Sequence, residues 1–202
     1  MNACLFMKRQ RRFSAFSFLP CLILLLIGMN AHAQSGRADY DLDDDGLIEI
    51  NDLNDLSEIR NQLDGTSLYG DNTGCPVAGC NGFELTRNLN FDTNQDEVIN
   101  EYDDYWDDGQ GWLPIGHGVL ESTSFHAIFE GNGYVINNLN INRVEHDDPN
   151  DDKQGMYIGL FNTTSDATIR NLGLEGRLMS VTGYFAVGGL IGRAISNTQI
   201  EN

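Results

Sequence analysis

The chain has 202 residues, enough for one ordinary domain, and its 30 Asp and Glu outnumber 12 Lys and Arg to give a formal net charge of −18. This balance excludes nucleic acid as a partner and argues against anionic lipid surfaces, because both are bound through clusters of Lys and Arg. With 41% apolar residues, ten Phe and 22 Gly, the composition also excludes a fully disordered acidic tail and favours turn-rich β structure.

The first 33 residues have the pattern of a secretory signal peptide. Basic residues precede an apolar core, Phe16–Met29, and the small residues after it predict cleavage between Ala33 and Gln34. A transmembrane anchor is the alternative, but two serines and a proline interrupt the apolar stretch. We therefore predict an exported chain, secreted or at the cell surface, with no membrane insertion after cleavage. Its 8 basic and 30 acidic residues then give a net charge of −22.

Two cysteines remain in the exported chain, Cys75 and Cys80, within Gly-Cys-Pro-Val-Ala-Gly-Cys. In an oxidising compartment, a disulfide could close this tight loop. The alternative is half of a zinc site, which needs a second pair of ligands. Because His117, His126 and His146 show no ligand spacing, we predict a structural disulfide between Cys75 and Cys80.

The strongest motif is a twelve-residue acidic loop that begins at Asp41 and reads Asp-Leu-Asp-Asp-Asp-Gly-Leu-Ile-Glu-Ile-Asn-Asp. It places oxygen ligands at positions 1, 3, 5, 9 and 12 of a calcium loop, with a backbone carbonyl at position 7. Gly46 permits the sharp turn at position 6, and Ile48 is the aliphatic residue that packs inward. A solvated acidic loop is the alternative. The predicted calcium ligands are Asp41, Asp43, Asp45, Leu47, Glu49 and Asp52.

This first loop departs from an EF-hand in two respects. Position 12 is Asp52, which is shorter than the usual glutamate, and the exported chain, predicted to begin at Gln34, has too few residues before Asp41 for an entering helix. The arrangement therefore resembles the loop-then-helix half of a dockerin repeat, with a structural ion at the start of a helix. That helix is predicted to bury Leu53, Leu56, Ile59 and Leu63 and to turn Asp55, Glu58 and Arg60 outward.

A second, weaker copy of the loop runs from Asp92 to Asp103. Its oxygen-bearing residues fall at the same positions, but position 6 is Glu97 instead of glycine, which strains the turn. A solvated acidic loop is again the alternative. The predicted ligands are Asp92, Asn94, Asp96, Val98, Asn100 and Asp103.

The second half of the chain repeats itself in short β-rich segments punctuated by Gly and Asn. Ile136, Ile169 and Ile200 align at steps of 33 and 31 residues, and Leu160 and Leu190 align at a step of 30. Each of the three isoleucines is followed two residues later by an asparagine, which we interpret as structural. Repetition at steps of this length predicts a solenoid, and the alternation of apolar residues favours β-strands over helical repeats. We expect the predicted helix to cap the N-terminal end of the core.

An ordered series of motifs carries a family resemblance. The motifs are Asp45-Gly-Leu-Ile-Glu-Ile50, Gly74-Cys-Pro, Gly82-Phe-Glu-Leu-Thr86, Trp112-Leu-Pro-Ile-Gly116, Phe129-Glu-Gly-Asn-Gly133, Gly159-Leu-Phe161 and Gly189-Leu-Ile-Gly192. This series resembles secreted bacterial surface proteins of the GLUG-repeat type, although Asn162 replaces the last glycine in one copy. The resemblance implies an all-β, right-handed parallel β-helix-like solenoid, often found beside adhesion modules, and it lends no catalytic residues.

The predicted organisation has four parts. They are a signal peptide (1–33), a calcium loop with a capping helix (34–66), a disulfide loop with a first strand and the second acidic loop (67–111), and a β-solenoid (112–202) expected to continue beyond the sequence. The predicted function is a calcium-stabilised surface module, structural or adhesive, with surface glycans or other surface proteins as partners.

Two other functions are open at this point. A polysaccharide lyase or hydrolase needs a base or a carboxylate pair, but no catalytic constellation stands out, and Arg170 alone among the basic residues lies in a repeat strand, facing outward. A glycan-binding module could use the aromatic residues near the second loop, although packing between the cap and the first coil explains them equally. These residues are Tyr102, Tyr105, Trp106 and Trp112.

Overall fold

Short alternating apolar segments separated by Gly, Asn and Asp become short strands, so the described chain is mostly β, as predicted. The computed structural model describes residues 36–116, 121–144 and 156–202. Its strands are β1 Leu47–Ile50, β2 Gly82–Leu85, β3 Leu89–Asn90, β4 Ile128–Glu130, β5 Val135–Asn137, β6 Asn140–Arg143, β7 Tyr157–Ile158, β8 Phe161–Ser165, β9 Thr168–Arg170, β10 Gly173–Glu175, β11 Ser180–Gly183, β12 Ala186–Val187, β13 Ile191–Ile195 and β14 Gln199–Glu201.

Several predictions concern residues outside the described ranges. The signal peptide and its cleavage site at Ala33 and Gln34 lie there, as do His117 and His146. In the part of the chain that the structure describes, no helix has the length and apolar character needed to cross a membrane.

Every pairing between the named strands is parallel. One sheet has five strands in the order β1-β2-β4-β9-β14, a second has three in the order β10-β5-β3, and three further sheets are the pairs β11-β6, β12-β7 and β13-β8. Parallel neighbours require a long connection between them. Between β1 and β2 this connection contains a short helix, and from β4 onward the chain passes through strands of the other sheets before it returns. Each return places a new strand beside the previous one in the same sheet.

The register of the five-stranded sheet lines up apolar residues into a row. Phe83 pairs with Phe129, Phe129 with Ile169, and Ile169 with Ile200. The first three are at most 1% exposed, whereas Ile200 in the outermost described strand is 62% exposed. Ile48 in β1 pairs with Phe83 and is fully buried too, so the row is covered at that end of the sheet and exposed at the other.

The predicted repeat alignment is right for two of its three steps. Ile169 pairs with Ile200, and the pairing of Phe161 with Ile191 sets Leu160 opposite Leu190.

The first predicted step is wrong. Ile136 lies in β5 and pairs with Leu89 and Leu174, so it belongs to the three-stranded sheet and not beside Ile169. The partner of Ile169 on that side is Phe129. Both Ile136 and Ile169 stand in an Ile-x-Asn-Leu segment. A two-residue alternation is the same on every sheet of the chain, so it does not identify which sheet a strand joins.

The predicted helix is shorter than expected. The α-helix α1 spans Leu53–Glu58 and continues as a 3-10 turn over Ile59–Asn61. Asp52 is its N-cap: the Asp52 side chain accepts hydrogen bonds from the backbone N–H of Asn54 at 2.8 Å and of Asp55 at 3.0 Å. Leu53, Leu56 and Ile59 are buried in the core as predicted, and Leu63 packs against it.

Two residues predicted to face outward from this helix are instead engaged inward. Asp55 is 1% exposed, accepts from the Asn51 N–H at 2.9 Å and lies 3.6 Å from the Arg37 guanidinium. Burial raises the pKa of Asp55 above its ordinary value. Arg37, which is distant in sequence, thus offsets the free-energy cost of burying the Asp55 carboxylate on the core-facing side of the helix.

Arg60, the second of these residues, packs on an aromatic ring. Its guanidinium lies 4.5 Å from the centre of the Trp112 ring and donates to the Leu113 carbonyl at 2.7 Å. Burial lowers the pKa of Arg60 to about 10.

The predicted disulfide between Cys75 and Cys80 is confirmed, with a Cα–Cα distance of 5.4 Å.

The aromatic residues near the second acidic loop contribute mainly to the core. Trp112 is buried, and its ring lies 5.2 Å from Phe91 and 5.4 Å from Tyr105, centre to centre. Edge-to-face packing of this kind stabilises a core. Tyr102 is exposed and Trp106 is half-buried. The packing interpretation thus holds for Trp112 and Tyr105, the two residues at the centre of the cluster.

Candidate metal centre

The first acidic loop brings three carboxylates together. The ligand oxygens of Asp41, Asp43 and Asp45 all lie within 4.8 Å of one another. Calcium binds oxygen at about 2.3–2.6 Å, so two oxygens on opposite sides of one ion are about 5 Å apart. Asp41 is fully buried, whereas Asp43 and Asp45 are exposed. The spacing therefore fits a hard divalent cation held at the surface by one inner and two outer carboxylates.

Backbone hydrogen bonds fix the orientation of these carboxylates. Asp41 accepts from the N–H of Asp45 at 3.0 Å and from the N–H of Gly46 at 2.8 Å. Asp43 accepts from the N–H of Asp45 at 3.3 Å, and Asp45 accepts from the N–H of Leu47 at 2.8 Å. The loop thus wraps its own backbone around the cluster, and the ligand positions are set by local geometry.

The second acidic loop has the same four hydrogen bonds at the corresponding positions. Asp92 accepts from the N–H of Asp96 and of Glu97, both at 3.1 Å. Asp96 also donates its N–H to Asn94 at 3.0 Å, and its carboxylate accepts from the N–H of Val98 at 3.0 Å. Four hydrogen bonds therefore join the same positions in both loops.

The backbone torsion angles of the two loops agree as well. Position 4 is left-handed in both, with φ of 60° at Asp44 and 59° at Gln95. Position 6 is also left-handed, with φ of 88° at Gly46 and 68° at Glu97. The second loop therefore keeps the same geometry with a glutamate at position 6, where a side chain is strained.

Replacing Gly46 with alanine is expected to destabilise the protein by about 1–2 kcal/mol, the cost of placing an L-residue in the left-handed region. The cost is conformational, because the nearest atom to a new Cβ is the Gly79 carbonyl oxygen at 3.8 Å. Urea unfolding would measure it. Gly189→Ala is the control, because Gly189 has no positive φ and its new methyl would meet the flexible end of Met179. Equal effects of the two substitutions would contradict this explanation.

Positions 9 and 12 have different roles in the two loops. Asp52, at position 12 of the first loop, caps α1 and does not join the carboxylate cluster. Glu49, at position 9, accepts from the N–H of Leu42 at position 2 with a distance of 2.5 Å. In the second loop, Asp103 at position 12 accepts from the position-2 N–H of Thr93 at 2.7 Å. A carboxylate therefore closes each loop, from a different sequence position.

The remaining predicted ligands lie within or beside the loops. Asn100 donates its side-chain N–H to Asp96 at 3.4 Å, which places it beside one other predicted ligand of the second loop. Leu47 and Val98 are the position-7 residues, predicted to bind through their backbone carbonyls. Leu47 is the first residue of β1, and Val98 is exposed in the second loop. His126 lies apart from both loops, with its ring nitrogen 2.9 Å from the Ser124 carbonyl oxygen.

Burial makes ionisation of the inner carboxylates unfavourable. The pKa of Asp41 is raised chiefly because burial removes water from the carboxylate, and neighbouring Asp45 and Asp43 add repulsion. The pKa of Glu49 is raised chiefly by burial too. A bound divalent cation would offset both effects, because it supplies positive charge where water is excluded.

A row of glutamates on the five-stranded sheet was not predicted. Glu49 pairs with Glu84, and Glu84 pairs with Glu130. Glu49 and Glu84 line an open cleft of about 480 Å³ beside the first loop, together with Asp43. The sequence contains a signal for this row, because each glutamate follows an aliphatic or aromatic residue at the same phase of its strand.

The members of this row differ in their neighbours. Burial raises the pKa of Glu84, and the nearby acidic residues add to the effect. Burial also opposes ionisation of Glu130, but hydrogen bonds from Asn132, Asn171 and Arg170 outweigh it and lower its pKa. Glu130 is therefore held ionised by Asn132, two residues along the chain, and by Arg170 and Asn171 at the end of β9.

The described basic residues of the repeat region are engaged in structural contacts. Arg170 forms an ion pair with Glu130, Arg143 pairs with Asp107, and Arg177 pairs with Glu97. Arg193 lies 5.1 Å from the centre of the Tyr157 ring. Lys153 falls outside the described residues.

Comparison with known proteins identifies one similar sequence. The chain is 28% identical over 169 residues to halomucin of Haloquadratum walsbyi, a match that covers 74% of this chain and 2% of halomucin. This chain therefore spans a small part of the length of that protein. No family model matches the chain, and no solved structure matches it.

Proposed function

We propose that this chain is a calcium-stabilised β-solenoid module of a secreted or cell-surface protein, with a structural or adhesive role. The observation that carries the proposal is the agreement of the two acidic loops. Two segments of different sequence share four hydrogen bonds and two left-handed positions, and in the first loop three carboxylates lie within 4.8 Å of one another. This geometry, with oxygen-bearing side chains at alternate positions of a sharply turning loop, suits calcium, which takes six to eight oxygen ligands.

The parallel strands support the solenoid part of the proposal. Successive passes of the chain add one strand each to the five-stranded sheet, and the in-register row from Phe83 to Ile200 has the character of a stacked core. In this proposal the sheets are the sides of one coil, α1 covers the N-terminal end, and the motif order places the chain among GLUG-repeat surface proteins with a dockerin-like first loop.

The location and partners follow from several independent features. The predicted signal peptide, the disulfide between Cys75 and Cys80 and the similarity to halomucin support an exported protein. Acidic loops saturated by calcium would give a stable surface scaffold on which surface glycans or other surface proteins are bound. The proposal does not require an enzymatic activity.

The proposal is tested by melting the exported chain in millimolar calcium and in excess chelator. We expect a higher melting temperature in calcium, because an ion that binds only the folded state adds its binding free energy to stability. Magnesium is the control, since its smaller size and octahedral preference suit these loops less well. Superimposed melting curves in calcium and chelator would refute the calcium proposal.

A further inference from the structure

The first acidic loop packs directly against the disulfide loop. A sulfur of the disulfide, Sγ of Cys80, lies 3.6 Å from Oδ2 of Asp41, and both residues are buried. A disulfide sulfur carries no proton, so this contact is packing and not a hydrogen bond. Its effect is to exclude water from one side of the innermost carboxylate in the cluster.

Backbone hydrogen bonds join the two loops on either side of this contact. The N–H of Asn81, next to Cys80, donates to the Gly46 carbonyl at 3.0 Å. The N–H of Tyr40, next to Asp41, donates to the Thr73 carbonyl at 2.8 Å. The acidic loop is therefore fastened, just before its first residue and at position 6, to the chain on either side of the disulfide loop.

The residue before the disulfide loop lies close to the residues that lead into the acidic loop. A Cβ on Gly74, the residue before Cys75, would lie 1.8 Å from Oδ1 of Asp39, and Gly74 has a left-handed φ of 96°. This tight fit holds only while residues 74–80 keep their path. The disulfide supplies that constraint, because it closes the loop covalently and removes its alternative conformations.

We propose that the Cys75–Cys80 disulfide is a positioning element for the cation site of the first loop, so that this loop binds calcium tightly only when the disulfide is intact. The inference rests on the proposed calcium function. The Cys80 sulfur and the constrained loop would hold the Asp41 carboxylate in position and exclude water from one side of it. Attraction between a carboxylate and a cation is stronger where water is excluded. Because coupling between two features is reciprocal, bound calcium also protects the disulfide.

The second loop provides an internal comparison. It shares the hydrogen-bond pattern of the first, but it lies at residues 92–103, and the only disulfide in the described part of the chain is the one between Cys75 and Cys80. Loss of the disulfide should therefore weaken one site and leave the other unchanged. This difference separates local positioning from a general loss of stability.

The test is a calcium titration by calorimetry of the parent and of C75S/C80S, each also in a background with the first loop disabled by D43N/D45N. We expect the first site to weaken by at least about tenfold without the disulfide. The affinity of the second site should not change, which also reports that the variant folds. Unchanged affinity at the first site would overturn the inference while leaving the calcium function standing, whereas a parent that binds no calcium would overturn both.

A second measurement avoids substitutions that could impair folding. Dithiothreitol reduces the disulfide to two thiols and is itself oxidised to a cyclic disulfide. The total number of thiols does not change, so the release of protein thiols is followed through the oxidised dithiothreitol that accumulates. We expect release to be at least about fivefold slower in calcium than in chelator. D43N/D45N is the control and should show no calcium protection. Equal rates for the parent in both conditions would overturn the inference.

Discussion

Replacing Phe129 with alanine is expected to destabilise the protein by about 3–5 kcal/mol, the usual cost of deleting a buried aromatic ring. Phe129 is fully buried, pairs with Phe83 and Ile169 on either side, and lies 5.5 Å from the Phe161 ring. A cavity there interrupts the apolar row between successive passes of the chain. Urea unfolding measures the loss, and the melting temperature should fall by about 10 °C.

Phe185→Ala is the matched control for this substitution. Phe185 is 68% exposed, so removing its ring deletes little buried surface. We expect a cost below about 1 kcal/mol, in line with ordinary surface substitutions. Similar losses for the two phenylalanines would contradict the stacked core described above.

Removing two charges from the first acidic loop with D43N/D45N is expected to abolish the stabilisation that calcium gives through this site. At a calcium concentration about 100 times the dissociation constant, that stabilisation is about 2.7 kcal/mol. These two positions are suitable because each carboxylate accepts backbone N–H groups through one oxygen, Oδ1, which asparagine retains. Asp41 is less suitable, because both of its oxygens accept backbone N–H groups.

Asp44→Asn is the control for D43N/D45N. Asp44 occupies position 4 of the same loop, is exposed and lies outside the carboxylate cluster. The Asp44→Asn substitution removes a negative charge from the same loop without removing a proposed ligand. In calcium, D43N/D45N should unfold at lower urea than the parent, and Asp44→Asn should not. If both variants lose the same stability, repulsion among surface charges is the better explanation.

Much of the loop geometry could be predicted from the sequence, because it is local. The spacing of Asp41, Asp43 and Asp45 around Gly46 implies a turn in which near neighbours supply the hydrogen bonds. The disulfide was predictable for the same reason, since Cys75 and Cys80 are close in sequence. The side chain of Asp52, at position 12, satisfies the N–H groups at the start of α1, a role that the twelve-residue pattern does not distinguish from that of a ligand.

Three features that the sequence-based interpretation missed involve residues brought together from a distance. Asp55 is turned inward because Arg37 and Tyr69 lie beside it, and helical periodicity contains no information about either. Ile136 joins the three-stranded sheet because Leu89 and Leu174 are its neighbours, and its local pattern matches that of Ile169. The glutamate row from Glu49 to Glu130 arises from register, which is a property of several strands together.

The most direct test of the calcium-loop account is a calorimetric calcium titration of the exported chain at neutral pH and fixed ionic strength. The shared geometry of the two acidic loops predicts two calcium ions bound per parent chain and one per D43N/D45N chain. Binding should weaken as pH falls toward the raised pKa values of Asp41 and Glu49, because protons compete with the cation for those carboxylates. A parent chain that binds no calcium, or a D43N/D45N chain that still binds two ions, would contradict the account.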